Sequence, residues 1–293
     1  MDIIELSYKH LPSYLKQCFL YFGMFLEDEE VSVKKWIRIW IGEGFVQSNE
    51  MKSAEIIAMN YLVDLVTRNL VMVARRFPLG DMKTVRLHDL HFIKWLHPTQ
   101  RVHTLRLYAQ NINKFHNLTD CELNKFIIAS GVFSSDLFKS TLTVLDLQNV
   151  EIDASTLEDG TSLIHLRYLS IFSNFNEIPS DISNLTNLET LVARPKSGTL
   201  TLPGSIWDLI NLKYIDTSEA MIHFNSVEAE KEDVFKLEKL ESFSKVVIVN
   251  GDDTCEMCNK APNLLNLELL TVEHVISFYG YAESVYVEQQ LQL

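Results

Sequence analysis

At 293 residues, with 47% hydrophobic and 22% charged residues, the chain has the composition of a folded globular protein, not a disordered one. Residues 1–100 contain 12 Lys and Arg and 12 Asp and Glu; residues 101–293 contain 14 and 27 and therefore carry the whole net charge of −13. An acidic surface repels phosphates, which argues against nucleic-acid binding by the second half.

Targeting signals and a disulfide framework are not evident. The start, MDIIELSYKH, has no basic segment followed by an apolar core, and no apolar run approaches the ~20 residues that cross a bilayer. The four cysteines, including the lone Cys255-x-x-Cys258 pair, are too few and too scattered for a secreted scaffold. We therefore expect a cytoplasmic or nucleocytoplasmic protein without a membrane span.

Helical spacing of apolar residues predicts three helices in the N-terminal part of the chain. The first follows Pro12, with Ser13 available as its cap. The second has one apolar face and ends at Gly42 or Gly44; the face consists of Val33, Trp36, Ile37, Trp40 and Ile41. The third runs from Ser53 to about Thr67. Six of its residues are expected to face inward: Ile56, Ile57, Tyr61, Leu62, Leu65 and Val66.

A β-hairpin is predicted after these helices. Val71 and Val73 alternate with other residues, Pro78-Leu-Gly-Asp81 forms a turn, and a second alternating run follows. A short helix over 89–96, stopped by Pro98, completes a winged-helix arrangement. Winged helices often bind DNA, and three cations of the second helix could face phosphates, but an electrically neutral module lacks the expected basic footprint.

Several motifs of residues 1–100 resemble one protein family. They are LSYKHLPSYLKQCFLY (6–21), WIRIWIGEGFV (36–46), YLVDLVTRNLV (61–71) and the triplet Leu87-His88-Asp89. The segment is similar to the winged helix of plant nucleotide-binding leucine-rich-repeat (NLR) immune receptors of the coiled-coil type. Leu87 stands where that family has the methionine of its Met-His-Asp motif, a mild, volume-conserving difference.

The resemblance implies a nucleotide contact for His88. In that family the motif histidine reaches the β-phosphate of bound ADP, and exchange of ADP for ATP releases the winged helix; Asp89 would cap the following helix. No G-x-x-x-x-G-K-[ST] motif occurs, since none of the ten glycines precedes a lysine. We therefore expect the chain alone to hold no cofactor and to hydrolyse no ATP, with His88 then a capping or surface residue. His88 and His91 have no acidic or cysteine partner at ligand spacing, so no metal site is predicted.

Short L-x-x-L units recur after residue 100. Their anchors are Leu145, Leu169, Leu191, Ile215, Phe243 and Leu270, preceded by a strand over 104–107 and an insertion with its own apolar stretch, 126–138. The steps between successive anchors lie within or near the range of leucine-rich repeats, which is about 20–29 residues. The predicted fold is therefore α+β: a winged-helix-like domain over 1–100, followed by an irregular α/β leucine-rich-repeat solenoid of six to seven repeats over 101–293.

Residues between the leucines are expected to point to solvent on the concave face of the repeats, where a partner would bind. The candidates are Asp146, Arg167, Ser170, Glu189, Lys213 and Asp216. The acidic run 228–233 is interpreted as a solvated loop that could alternatively dock on a neighbouring domain. The family's asparagine after the strand remains clear only at Asn174.

Together these features predict a non-enzymatic part of an intracellular plant immune receptor. Its repeats would bind a pathogen effector or a guarded host protein, and its winged helix would bind a nucleotide-binding domain or a full-length receptor. We expect the coiled coil, the nucleotide-binding core and later repeats to lie outside this chain. Three alternatives rank below this interpretation: a working ADP/ATP switch with its core encoded upstream, an extracellular repeat receptor, and a transcription regulator.

Overall fold

The computed structural model describes residues 8–25, 28–87, 104–108, 142–222, 236–248, 259–276 and 282–292. The chain divides into two compact units, Met1–Val102 and His103–Leu293. Several sequence predictions lie outside the described residues, among them the helix over 89–96, the apolar stretch 126–138, the acidic run 228–233 and the Cys255–Cys258 pair.

The first unit combines three helices with a small antiparallel sheet. Its helices are α1 (Ser13–Leu20), which continues into a 3₁₀ turn (Tyr21–Met24), α2 (Val33–Gly42) and α3 (Ala54–Thr67). Its strands are β1 (Val31–Ser32), β2 (Met72–Arg76) and β3 (Met82–Arg86), in the order β1-β3-β2. The predicted hairpin is confirmed by the pairing of Val73 with Val85. Strand β1, whose Val31 pairs with Val85, was not predicted.

Helix α2 begins with a serine cap and ends at the glycines that the sequence predicts. The Ser32 hydroxyl accepts a hydrogen bond from the Lys35 amide at 3.1 Å, and Gly44 adopts φ 78° just beyond the last turn. The prediction that Ser13 caps α1 is wrong. Pro12, whose backbone is extended, occupies the cap position without a side-chain hydrogen bond, so Ser13 is already the first helical residue.

Aromatic side chains form much of the core of the first unit. The ring centroid of Trp36 lies 3.9 Å from that of Phe22 and 4.2 Å from that of Phe25, and Tyr21 meets Trp36 edge-on at 6.1 Å. Trp40 is fully buried beside them. This packing explains why the two tryptophans lie on the apolar face of α2.

The inward face of α3 is as predicted at Leu62 and Leu65 but differs at Ile56. Its buried residues are Ala54, Ala58, Leu62 and Leu65, whereas the predicted inward residue Ile56 is 51% exposed. Ile56 follows Ala54 by two positions, which is about 200° around a helix, so it lies away from the core. Ile57, Tyr61 and Val66 are half-buried.

The second unit contains one sheet with the order β12-β11-β10-β9-β7-β6-β5-β4, and a short strand, β8, also pairs with β9. All pairs are parallel except β11–β12. The strands are β4 (Thr104–Tyr108), β5 (Val144–Ile152), β6 (Tyr168–Ser173), β7 (Thr190–Pro195), β8 (Leu200–Leu202), β9 (Tyr214–Ile222), β10 (Ser242–Ile248), β11 (Asn266–Ile276) and β12 (Ala282–Gln292).

In the described connections, a helix and two 3₁₀ turns lie between strands. Helix α4 (Ala154–Gly160) follows β5, and the 3₁₀ turns are Ser180–Asn184 and Gly204–Asp208. Each 3₁₀ turn begins directly after a proline, Pro179 or Pro203.

The anchor residues of the repeats are register partners across the sheet. Leu145 pairs with Leu169, then Leu191, Ile215 and Phe243 in turn, and all five are buried in one apolar core. The predicted last anchor, Leu270, is wrong, because the partner of Phe243 is Leu267. The final unit is therefore Leu264-x-x-Leu267, in which Leu264 occupies the buried first-leucine position.

A row of asparagine side chains links successive repeats just before their strands. The amide of Asn187 donates to the Ile164 carbonyl at 2.8 Å, and Asn211 donates to the Thr186 carbonyl at 2.9 Å. Asn263 makes the corresponding bond to the Glu238 carbonyl at 2.9 Å. Asn174, the position expected to carry the family's asparagine, is exposed and bonds to Ile152 through its backbone amide. The recurring asparagine of the described repeats thus precedes the strand.

Candidate functional site

The predicted nucleotide contact lies outside the described residues. Strand β3 ends at Arg86, and the chain is described as far as Leu87, which is buried. His88 and Asp89 follow directly. Their roles as phosphate contact and helix cap therefore stay predictions.

The six candidate residues of the repeats fall into two rows across the sheet. Asp146 of β5 pairs with Ser170, Ser170 with Val192, and Val192 with Asp216; we call these four and Ser244 the middle row. The second set precedes the strands by one residue, and its backbone amides bond from repeat to repeat. We call it the charged row; it consists of Arg167, Glu189, Lys213 and Glu241.

Charges alternate along the charged row. The Arg167 Nε donates to Glu189 Oε1 at 2.6 Å, and Lys213 Nζ lies 3.0 Å from Glu189 Oε2. The Tyr214 hydroxyl donates to Glu241 Oε2 at 3.3 Å. Because Glu189 lies between Arg167 and Lys213 and Glu241 accepts from Tyr214, the row forms a partly buried network across four successive repeats.

The middle row is less exposed than the sequence indicates. The prediction that the candidates point to solvent is wrong for two of them, since Asp146 is 1% and Ser170 is 0% exposed. Strands about 4.8 Å apart place the small Ser170 between Asp146 and Val192, where larger neighbours shield it. Asp216 is half-buried and accepts from Arg194 at 3.2 Å and from Ser244 at 3.3 Å.

Two further features of this face were not predicted from the sequence. Lys196 Nζ lies 2.8 Å from Glu151 Oε2, so this ion pair joins residues two repeats apart. Tyr168 and Thr190 are buried at the position before the anchor leucine, although they face away from the leucine core. The signal available in the sequence was the polar or aromatic residue directly preceding the anchors Leu169 and Leu191.

Cations and anions nearly balance on the described part of this face. Four cations stand against five anions: Arg167, Arg194, Lys196 and Lys213 against Asp146, Glu151, Glu189, Asp216 and Glu241. This face of the sheet therefore presents paired charges of both signs.

The described residues contain neither a metal-binding cluster nor a reactive thiol. No group of three or more His, Cys, Asp or Glu within them could hold a metal ion. Cys18, the cysteine they include, is fully buried, and burial raises the pKa of its thiol to about 12, which suppresses the reactive thiolate. None of the described helices is long and apolar enough to cross a membrane.

Comparison with known families identifies both halves of the chain. Residues 24–92 match the disease-resistance-protein winged helix domain, and residues 130–285 match the leucine-rich repeat region. The match to the repeat region covers more than half of the chain.

Relatives at the level of whole sequences come from Solanum demissum. The putative late blight resistance protein homolog R1B-14 is 34% identical over 300 residues, which cover 90% of this chain and 23% of that protein. Late blight resistance protein R1-A is 34% identical over 312 residues, covering 90% and 24%. The chain thus spans about a quarter of the length of these relatives. Among solved structures, a leucine-rich-repeat protein of Leptospira interrogans aligns over 44% of this chain with 14% identity and a TM-score of 0.26, too low to bear on the fold.

Proposed function

We propose, from the premise that this chain belongs to the NLR family of plant disease-resistance proteins, that it is the sensing and coupling segment of an intracellular immune receptor. In this proposal residues 1–100 are the winged-helix domain, residues 101–293 are the repeat solenoid, and the protein acts in the cytoplasm or nucleocytoplasm. Two observations support this proposal together. The winged-helix match precedes the repeat match along the chain, and 90% of this chain aligns with R1-A at 34% identity.

The repeats are proposed to bind a protein, either a pathogen effector or a guarded host protein. The charged row supports this role, because Arg167, Glu189 and Lys213 are held in fixed positions by one another. Ordered charges lose less conformational entropy on binding and give specificity by rejecting partners of the wrong polarity. We assign no catalytic residue to this segment.

The winged helix is proposed to couple the repeats to an ADP/ATP switch through His88. The 293 residues contain no phosphate-binding loop motif, so the amides and lysine that hold phosphates must come from a nucleotide-binding domain. With such a domain, His88 would donate to a phosphate oxygen and Asp89 would cap the helix that orients it. Without one, we expect no tight binding of ADP and no hydrolysis of ATP.

The test reconstitutes the switch from two proteins. The full chain is mixed with a separately expressed nucleotide-binding domain of an NLR receptor, and binding of a fluorescent ADP is followed by anisotropy. We expect association of the two proteins and ADP binding that His88→Ala weakens about 10- to 100-fold, the range for a hydrogen bond to a charged group. His165→Ala is the matched control, because His165 is an exposed histidine of the repeats.

Three results would contradict the proposal. Tight ADP binding by the chain alone would show that the phosphate site does not depend on a nucleotide-binding domain. Equal ADP affinity of the His88→Ala and wild-type complexes would remove the coupling role of the histidine. Failure of the two proteins to associate would remove the coupling role of the winged helix.

A further inference from the structure

The turn between β2 and β3 presents an ordered apolar tip. Leu79 is 94% exposed and Phe77 is 44% exposed, so two large apolar side chains of one turn are accessible from solvent. The turn is closed by hydrogen bonds from the Gly80 amide to the Phe77 carbonyl at 2.9 Å and from the Phe77 amide to the Asp81 carbonyl at 2.8 Å. Gly80 adopts φ 97°, a conformation that side chains disfavour. We call residues 77–81 the hairpin tip.

Cations surround this tip. The Arg76 Nη1 donates to the Gly80 carbonyl at 2.8 Å, and Lys83 Nζ lies 5.6 Å from the centroid of the Phe77 ring. The Arg75 side chain is 66% exposed and lies 2.8 Å from Glu30. Asp81 is the single acidic residue between positions 75 and 83, which also contain three cations. The segment therefore combines exposed apolar groups at its apex with positive charge directly behind them.

We propose that the hairpin tip binds anionic lipid surfaces. An interfacial segment places its apolar groups about 5–10 Å into the boundary between headgroups and acyl chains, with basic residues at the level of the headgroups. Arg76 and Lys83 are three and four residues from Leu79, roughly 10 Å along a strand, and so reach headgroups when Leu79 is inserted. The contact is peripheral and reversible, since two apolar side chains cannot anchor a protein permanently.

A nucleic acid fits these observations less well. In a winged helix the third helix is the element that enters the major groove. Helix α3 contains Glu55 and Asp64 and no lysine or arginine, so it would repel phosphates. The hairpin alone would have to supply both affinity and orientation on DNA. Binding to a bilayer, in contrast, requires only the residues of the hairpin tip.

The test measures sedimentation of the full chain with lipid vesicles. We expect binding to phosphatidylserine-rich vesicles at low salt, little binding to phosphatidylcholine vesicles, and loss of binding at high salt. Leu79→Ser should lower the partition coefficient about tenfold, and Lys83→Gln about fivefold, the effect of one cation near an anionic surface. Asp81→Asn should raise binding to the anionic vesicles and leave binding to phosphatidylcholine unchanged, a combination that misfolding does not produce.

Matched controls lie away from the tip. Ile210→Ser removes a half-exposed apolar residue from the second unit, and Lys52→Gln removes an exposed cation from the loop before α3. Both should bind vesicles like the wild type. The proposal is overturned if Leu79→Ser binds unchanged, if phosphatidylcholine vesicles bind equally well, or if Asp81→Asn weakens binding. Binding of duplex DNA with the same dependence on Lys83, and none of vesicles, would assign the tip to nucleic acid instead.

Discussion

Replacing Glu189 by glutamine should destabilise the repeats by about 2 kcal/mol, a value set by the charge and the partial burial of the contacts it makes. The Glu189 side chain is 14% exposed and lies between Arg167 and Lys213, whose side chains are 32% and 25% exposed. Hydrogen bonds to charged groups stabilise by ~1.5–3 kcal/mol, and fully exposed ion pairs by ~0–1 kcal/mol. Glutamine keeps one acceptor but removes the charge, so the two cations face each other uncompensated. Because Glu189 is mostly buried and its partners are only partly exposed, the expected loss of about 2 kcal/mol lies within the range for hydrogen bonds to charged groups.

Urea unfolding followed by circular dichroism measures this loss. In thermal unfolding of a unit of this size, a loss of ~2 kcal/mol corresponds to a fall in melting temperature of about 4–8 °C. The charged network also predicts that Arg167→Gln costs less in the Glu189→Gln background than in the wild type. The matched control is Glu238→Gln, since the exposed Glu238 carboxylate forms no ion pair among the described residues. A Glu189→Gln loss no larger than that of the control, or additive effects of the two substitutions, would refute the network.

Two further substitutions test backbone geometry and helix capping. In urea unfolding, Gly198→Ala should destabilise by about 2–3 kcal/mol and Gly80→Ala by about 1 kcal/mol. Both glycines have positive φ, which disfavours a side chain. At Gly198 the added Cβ would also lie 2.8 Å from Asn176 and disturb the hydrogen bonds of that side chain. Equal losses would show that Asn176 moves aside freely. Burial alone would raise the pKa of Asp153, the cap of α4, but hydrogen bonds from Thr156 and its neighbour outweigh burial and lower that pKa. The stabilisation by this cap is therefore complete above the ordinary carboxyl pKa and is lost as pH falls through the lowered pKa. Asp153→Ala should cost ~1 kcal/mol of unfolding free energy at neutral pH and progressively less in acid. A cost that stays constant with pH would contradict this linkage.

The sequence predicts elements well where one face is apolar and a strong local signal marks the ends. Helix α2 is such a case, with its serine cap and glycine end. The inward face of α3 could not be phased, because apolar residues such as Ile56 occur on both sides of that helix. The last anchor failed for a related reason. Leu264, Leu267 and Leu270 are evenly spaced by three, so L-x-x-L fits in two frames, and only pairing with Phe243 decides between them.

The candidate interaction residues were predictable as a set but not in their environments. Placing Asp146 and Ser170 on one row required only the repeat alignment. Their burial depends on side chains of neighbouring repeats, which are distant along the chain and which no local pattern contains. The charged row needed the same long-range register before the contact between Arg167 and Glu189 became visible. Asparagines before the strands were not predicted, because the family pattern directs attention to the residue after the strand.

The asparagine row also bears on how such a protein can change over generations. The anchors from Leu145 to Leu267 are unevenly spaced along the chain, and yet each is level with the next across the sheet. Insertions and deletions are therefore absorbed in the connecting segments, while bonds such as that from Asn211 to the preceding repeat keep the strands aligned. The connecting segments can therefore be lengthened, shortened or replaced in evolution, and the surface they present can change, while the sheet keeps its register.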